Sequence, residues 1–291
     1  MRPCQLRYLL YFITLIAFPL QTIQAEENAN TYKTLSDLSY RDADQRQQTE
    51  YMRERCKLDF YYPSTIKYYP TVVWFHGGGL KGGKKVIPEE LKNQGIAIVA
   101  VNYRLYPKAK KPAYLEDAAA AVAWTFQHVA EYGGDPDLIF VAGHSAGGYL
   151  TSMLGLDKRW LATHKIDANK IAGLIPYSGH CITHMTVREE MGIERDQPII
   201  DDMAPLFHAR KDAPPILLIT GDRELEFPTR YEENAYMHRL LKVVGHKQVQ
   251  LFELDGFTHG SMLEPGHYLL LKEIRRIVGG EKSDKPLPKK K

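Results

Sequence analysis

The stretch that decides the fold is Val141-Ala142-Gly143-His144-Ser145-Ala146-Gly147-Gly148. A short apolar run precedes it, and a helical pattern follows it. The G-x-S-x-G spacing at such a strand-to-helix turn is typical of a nucleophile elbow, in which glycines avoid collisions with the neighbouring elements. The turn also places the serine hydroxyl at a helix N-terminus, where developing negative charge is favoured. We therefore predict that Ser145 is a nucleophile.

Working outward from the elbow, short strand-like segments alternate with helical ones. The predicted strands are Lys57–Tyr61, Thr71–Phe75, Ile96–Val101, Leu138–Ala142, Ile171–Ile175, Ile216–Thr220 and Val249–Leu254. The predicted helices are Ala118–Val129, Gly147–Leu154, Thr229–Val243 and Gly266–Ile277. This alternation predicts an α/β fold with a mostly parallel central sheet flanked by helices, within one domain.

A glycine run, His76-Gly77-Gly78-Gly79, follows the strand that ends at Phe75. Attack on a carbonyl builds charge on its oxygen, and preorganised backbone N–H groups must meet that charge. We expect such an oxyanion hole from Gly77 and Gly78, with a further donor from Ala146 after the nucleophile. His76 is better suited to organise this loop than to act as a base.

A serine hydroxyl needs a positioned base, and in this kind of fold the chain order is nucleophile, acid, histidine. His259 follows the last predicted strand and is the expected base. The other candidates are His180, His184, His208 and His267. The acid should follow Ile216–Thr220, where Gly221-Asp222-Arg223-Glu224-Leu225-Glu226-Phe227-Pro228 offers three carboxylates. The two considered as the acid are Glu224 and Asp222, either of which could orient the imidazole.

Several further residues have a familiar arrangement: Asn102-Tyr103-Arg104-Leu105, Pro107, Pro112, Asp117, Ala121, Trp124, Gly133 and Asp135. With the glycine run and the elbow, they resemble the hormone-sensitive-lipase-like branch of the α/β hydrolases. The chain is also similar to secreted carboxylesterases that include carbohydrate acetyl and feruloyl esterases. The resemblance implies the α/β-hydrolase fold, a Ser-acid-His triad and no cofactor.

In that family the acid falls three residues after the glycine that ends its strand, which implies Glu224. Aspartate is commoner there, so a shifted loop that uses Asp222 is the alternative. Many relatives carry Asp where this chain has His144, a side chain that we expect to point away from the carbonyl. The resemblance further implies short-chain or small-acid esters as substrates, cleaved through an acyl-enzyme.

Two other functions stay open. An arylformamidase or small peptidase would use the same triad, and Glu189, Glu190 and Glu194 could bind a substrate amine. A non-catalytic binding protein on a hydrolase fold typically lacks the nucleophile, the base or the oxyanion glycines, all of which are present here.

The ends of the chain predict its location. Residues 1–25 have a basic start, a short apolar run and a small residue at the end, as in a secretory signal peptide. The protein is then secreted or periplasmic, or membrane-anchored if cleavage fails. We divide the rest into a leader (26–56), a catalytic domain (57–280) with a lid-like insertion (179–212), and a basic tail (281–291).

The composition excludes some partners. The 38 basic and 35 acidic side chains give a formal charge of +3, too balanced to favour nucleic acid. Cys56 and Cys181 could pair or stay free, and neither has metal-ligand spacing, so no metal site is predicted. The expected partner is a small-molecule ester, without a stable membrane partner if the signal is cleaved. The oligomeric state is left open.

Overall fold

The computed structural model describes residues 31–41 and 48–279. The predicted signal peptide (1–25) and basic tail (281–291) lie outside the described residues. No helix within the described ranges is long and apolar enough to cross a membrane.

Eight strands of the described chain form one sheet in the order β1-β2-β4-β3-β5-β6-β7-β8. Their bounds are β1 Tyr32–Ser39, β2 Lys57–Pro63, β3 Tyr69–Phe75, β4 Ala97–Val101, β5 Gly134–His144, β6 Gly173–Tyr177, β7 Ile216–Gly221 and β8 Val249–Leu254. β2 runs antiparallel to both β1 and β4, and every pair from β4 to β8 is parallel. The predicted α/β fold with a mostly parallel sheet is confirmed.

Seven α-helices accompany the sheet in the described ranges: α1 Glu50–Arg55, α2 Ala113–His128, α3 Ala146–Leu156, α4 Arg159–Ala162, α5 Met185–Glu190, α6 Arg230–Val243 and α7 Leu263–Val278. One core lies between the sheet and the helices α2, α3 and α6. A second core lies between the opposite face and α7, to which Leu270 and Ile274 contribute. Both faces are therefore covered, as a parallel sheet requires.

The strand β3 shows how the sequence divides between the two cores. Val73 and Phe75 belong to the core on the α2 side, whereas Val72 and Trp74 belong to the core on the α7 side. All four are buried, because successive side chains of a strand point to opposite faces and helices cover both. This explains why β3 is a continuous apolar run rather than an alternating one.

The first strand is absent from the sequence-based assignment, which placed residues 26–56 in a polar leader. Residues Tyr32–Ser39 instead form β1 and pair antiparallel with β2 at the edge of the sheet. Only part of this edge strand is shielded, since three of its residues are of intermediate burial and five are exposed. Because many of its residues are polar, β1 lacks the apolar pattern by which a strand is predicted from sequence. Residues 50–55 form the short helix α1.

The parallel strands bring their carboxyl ends to one edge of the sheet. The residues after β3, β5, β6, β7 and β8 therefore meet there, and this is where ligands bind in open α/β sheets. The segments concerned begin at His76, Ser145, Ser178, Asp222 and Asp255.

The predicted lid-like insertion (179–212) is mostly irregular, with α5 and a short 3-10 helix, Pro205–His208, as its regular elements. It touches the glycine run: Thr186 Oγ1 donates to the Gly79 carbonyl at 2.5 Å, and Lys81 pairs with Glu189 at 2.5 Å. Cys56 and Cys181 are both buried and free, so they do not form a disulfide.

Candidate active site

Ser145 lies between β5 and α3 with φ 57° and ψ −112°, a strained conformation for a residue with a side chain. A Cβ on Gly147 would lie 2.0 Å from the Phe75 carbonyl oxygen, and one on Gly143 would lie 2.7 Å from it. Both positions therefore require glycine. The Ser145 N–H donates to the Tyr177 carbonyl at 2.8 Å, which ties the turn to β6.

The glycine run lies against the nucleophile. A Cβ on Gly77 would be 3.4 Å from the Ser145 Cβ, and Gly78 has φ +113°, which favours glycine. Within the described chain, the N–H groups of Gly77 and Gly78 donate to no acceptor. Ala146 is the first residue of α3 and is buried directly after Ser145. These three expected oxyanion donors therefore come together around one residue.

His76 holds the glycine run in place. Its Nδ1 lies 2.6 Å from the Gly77 carbonyl oxygen, and its ring stacks on Tyr103 with centroids 4.4 Å apart. The Tyr103 hydroxyl in turn donates to the His76 carbonyl at 2.8 Å. Burial lowers the pKa of His76 to about 4, so the ring is neutral at neutral pH. These contacts agree with an organising residue.

His259 follows β8 and lines the same pocket as Ser145. Its Nδ1 forms a short hydrogen bond with Oε1 of Glu226. The other carboxylate oxygen, Oε2, accepts from the Ser178 hydroxyl at 2.7 Å and from the Gly221 N–H at 3.2 Å. Burial raises the pKa of the Glu226 carboxyl, but the hydrogen bond and charge of His259 outweigh burial, and the pKa falls to about 2.

The structure does not bring Glu224, the expected acid, to His259. Glu224 is exposed, and Asp222, the alternative, accepts from the backbone N–H groups of Gly256 at 2.8 Å and Glu224 at 2.9 Å. The cause is a helical turn in which the N–H groups of Leu225 and Glu226 both donate to the Asp222 carbonyl. This turn points Glu226 back towards the sheet and leaves Glu224 in solvent.

His144 does more than point away from the carbonyl. Its Nε2 lies 2.8 Å from the His259 carbonyl oxygen, and the two rings are 4.4 Å apart between centroids. Burial and the nearby His259 lower the pKa of His144 to about 4. A neutral His144 ring can therefore donate from Nε2 and fix the backbone of the loop that carries His259.

The pocket at Ser145, the candidate catalytic pocket, has a volume of ≈ 420 Å³. It is lined by Gly78, Gly79, Lys81, His144, Ser145, Met185, Thr186, Glu189, Arg195, Phe227 and His259. Among the histidines that the structure describes, only His144 and His259 line it. The other candidate bases are engaged elsewhere: His180 with Glu233, His208 with Asp202, His184 at the start of α5 and His267 beside Trp74.

Comparisons with known proteins show which family and which fold the chain shares. A family model described as BD-FAE matches residues 58–236. The chain is 28% identical to "Esterase LipC" of Mycobacterium tuberculosis over 215 residues, 68% of this chain and 53% of that protein. It is 26% identical to a "Probable isoprenylcysteine alpha-carbonyl methylesterase ICMEL1" of Oryza sativa over 265 residues, 79% of this chain and 61% of that protein.

The chain thus spans about half to three fifths of the length of these two relatives. Among solved structures, a "Truncated form of carbohydrate esterase from gut microbiota" superposes with a TM-score of 0.71 at 18% identity. That superposition covers 87% of this chain and 98% of the other, and it shows a shared fold. The expected resemblance to α/β-hydrolase esterases is confirmed.

Proposed function

Because the chain belongs to the BD-FAE family, we propose that it is a serine carboxylic-ester hydrolase with Ser145, His259 and Glu226 as its triad. One observation carries the proposal: Ser145 and His259 line one pocket while a buried carboxylate binds the far nitrogen of His259. The names of the relatives, which are esterases, support the same reaction.

In the first step, His259 Nε2 takes the Ser145 proton as the hydroxyl oxygen attacks the ester carbonyl. The carbonyl π electrons move to oxygen, and the N–H groups of Gly77, Gly78 and Ala146 stabilise the resulting oxyanion. Glu226 keeps the Nδ1–H tautomer of His259 and stabilises the imidazolium that forms. Collapse of the intermediate breaks the bond to the alcohol oxygen, which receives the proton from His259.

In the second step, water takes the place of the alcohol. His259 removes a proton from the water molecule as the water oxygen attacks the carbonyl of the acyl-enzyme. The same N–H groups stabilise the second oxyanion. Collapse then returns the proton to Ser145 and releases the carboxylic acid. The cycle needs a neutral His259, because a protonated imidazole has no lone pair with which to take the serine proton.

The pocket volume of ≈ 420 Å³ supports short-chain or small-acid esters as substrates. Amide hydrolysis by a peptidase is less well supported, because it needs a free carboxylate for the substrate amine. Glu189 pairs with Lys81, and Glu190 accepts from the Lys111 N–H at 2.7 Å. Two of the three candidate carboxylates are therefore engaged, and the third, Glu194, does not line the pocket of Ser145.

The test is hydrolysis of p-nitrophenyl esters from acetate to decanoate by the wild type and by Ser145→Ala. We expect the wild type to prefer the short chains, and Ser145→Ala to lose about 10⁵-fold or more in kcat, as removal of a catalytic serine does in serine hydrolases. Melting curves provide the control, since the substitution removes one oxygen and should leave the fold intact. An active Ser145→Ala, or a wild type inactive on every ester, would contradict the proposal.

A further inference from the structure

A second cavity of ≈ 610 Å³ lies beside the catalytic pocket. The two spaces share three lining residues, Met185, Arg195 and Phe227. A molecule bound at Ser145 can therefore extend past these residues into the second cavity. Nothing in the proposed reaction uses this space.

Two buried arginines line the second cavity, and neither has a carboxylate within 4 Å in the described chain. Arg188 is 3% exposed, and its one hydrogen bond goes to the Gln197 carbonyl oxygen at 2.5 Å. Arg230 is also 3% exposed and binds the Ser178 carbonyl oxygen and the His180 ring, at 3.0 Å from the latter. The Nε atoms of both arginines lack a partner among the described residues.

The nearby acidic groups do not neutralise these arginines by contact. Glu233, the buried carboxylate of the cavity wall, is bound to His180 at 3.1 Å and to the Cys181 N–H at 2.8 Å. Glu194, Asp196 and Glu232 also line the cavity but are exposed to solvent. Because a buried charge without a contacting counter-ion is costly, Arg188 and Arg230 would stabilise an anionic group that reaches them.

Arg195 connects this interior with the catalytic pocket. It lines both spaces, is exposed, and forms no ion pair or hydrogen bond within the described part of the chain. Its guanidinium is therefore available to a ligand that bridges the two spaces. The planar fork of an arginine binds the two oxygens of a carboxylate particularly well.

The position of His259 indicates which part of an ester would enter the second cavity. His259 must protonate the leaving oxygen, so the alcohol portion lies on the His259 side of the scissile bond. The shared residue Phe227 lies on that side, since its ring centroid is 4.3 Å from that of His259. An alcohol portion that passes Phe227 reaches the arginines.

We propose that the second cavity binds the alcohol portion of the substrate and that Arg195 and Arg188 recognise a carboxylate on it. The preferred substrates are then esters of a hydroxy acid through its hydroxyl group. This inference rests on the proposed esterase function, because it takes the reaction from there and adds the substrate class.

The kinetic test uses a matched pair, 4-acetoxybenzoate and 4-acetoxybenzamide, which differ in the charge of the alcohol portion. Each kcat/KM is divided by the rate of hydroxide-catalysed hydrolysis of the same ester, which removes the difference in leaving-group reactivity. We expect the carboxylate ester to be favoured at least tenfold, about the size of one charge-assisted hydrogen bond. Arg195→Gln should bring this ratio close to one, while Arg239→Gln, an exposed arginine of α6, should leave it unchanged.

A ratio near one in the wild type would overturn the proposal while leaving the esterase function intact. The carboxylate of p-nitrophenyl hemisuccinate lies on the acyl side. If the enzyme preferred this ester over p-nitrophenyl butyrate as strongly as it prefers 4-acetoxybenzoate over 4-acetoxybenzamide, the assignment to the alcohol portion would be overturned.

A binding measurement keeps the subsite testable if the esterase function itself fails. Calorimetry on Ser145→Ala should show 4-hydroxybenzoate binding at least tenfold more tightly than 4-hydroxybenzamide. The double variant Ser145→Ala, Arg195→Gln should lose that difference. Equal affinities in Ser145→Ala would overturn carboxylate recognition whatever the hydrolysis results are.

Discussion

The nucleophile elbow and the acid loop hold their functional side chains in opposite ways. In the elbow, Gly143, Gly147 and Gly148 pack directly against the backbone of neighbouring elements, where an added Cβ would approach within 2.7, 2.0 and 2.8 Å. In the acid loop, residues 222–229, Glu226 is the one buried residue. Hydrogen bonds to the carboxylates of Glu226, Asp222 and Glu253 therefore fix the loop, whereas backbone packing fixes the elbow.

This contrast indicates how each region fails. The elbow should tolerate no added atom, because its neighbours are backbone groups that cannot move aside independently. The acid loop should tolerate changes at its exposed positions and respond to loss of a donor or acceptor around Glu226. Substitutions in the two regions should therefore differ in the size and in the pH dependence of their effects.

Gly147→Ala should disrupt the elbow. The new methyl group would lie 2.0 Å from the Phe75 carbonyl oxygen and 2.9 Å from that of His76. The strand β3 and the glycine run must then shift, at a cost of about 3 kcal/mol or more in the free energy of unfolding. Urea denaturation measures this cost. The control is Gly260→Ala, where the new methyl meets nothing within 4 Å; equal destabilisation of both variants would contradict the account.

Glu226 should make stability depend on pH. Its pKa is lowered from an unfolded value of 4.5 to about 2 in the folded state. Its contribution is therefore fully present above about pH 5 and is lost as the pH falls from 4.5 towards 2. The shift in the pKa corresponds to about 3 kcal/mol at most in the free energy of unfolding. Urea unfolding of the wild type and Glu226→Gln between pH 3 and 7 should show a difference that shrinks in acid; a constant difference would refute the linkage.

Ser178→Ala should have a smaller effect than the loss of Glu226 itself. The Ser178 hydroxyl donates to Glu226 Oε2 at 2.7 Å, and the Gly221 N–H remains as a donor when it is lost. We expect kcat/KM to fall about tenfold, as for loss of one hydrogen bond to a charged group. The pH dependence of stability should also weaken, which a purely structural role would not produce. The control is Ser64→Ala, which removes a hydroxyl that donates to the Thr31 carbonyl. It should change neither kcat/KM nor the pH dependence of stability.

The sequence predicts those parts of the candidate site that depend on local backbone geometry. Ser145 and Gly77 lie in turns that only certain residues can form, and His259 follows from the order of strands in a parallel sheet. Glu226 is different, because Asp222, Glu224 and Glu226 have the same chemistry and lie close together. The choice among them depends on the turn in which two N–H groups share the Asp222 carbonyl, and no residue pattern indicates that turn.

Two other features could not be predicted from the sequence, for a related reason. The strand β1 is polar, and it becomes a strand through its pairing with β2. The arginines of the second cavity, Arg188, Arg195 and Arg230, lie on the insertion and on α6, and only the folded structure shows that no carboxylate of the described residues contacts them. Contacts between residues far apart in the chain, rather than local propensity, determine the strand β1 and the surroundings of these arginines.

The measurement that tests the central claim most directly is kcat/KM of Glu226→Gln beside Glu224→Gln on p-nitrophenyl acetate at neutral pH. These two substitutions have the same chemistry and lie two residues apart, one in a buried contact with His259 and the other in solvent. We predict a loss of about 10⁴-fold for Glu226→Gln, as when a triad acid becomes an amide, and less than about twofold for Glu224→Gln. A large loss in Glu224→Gln with an active Glu226→Gln would contradict the account.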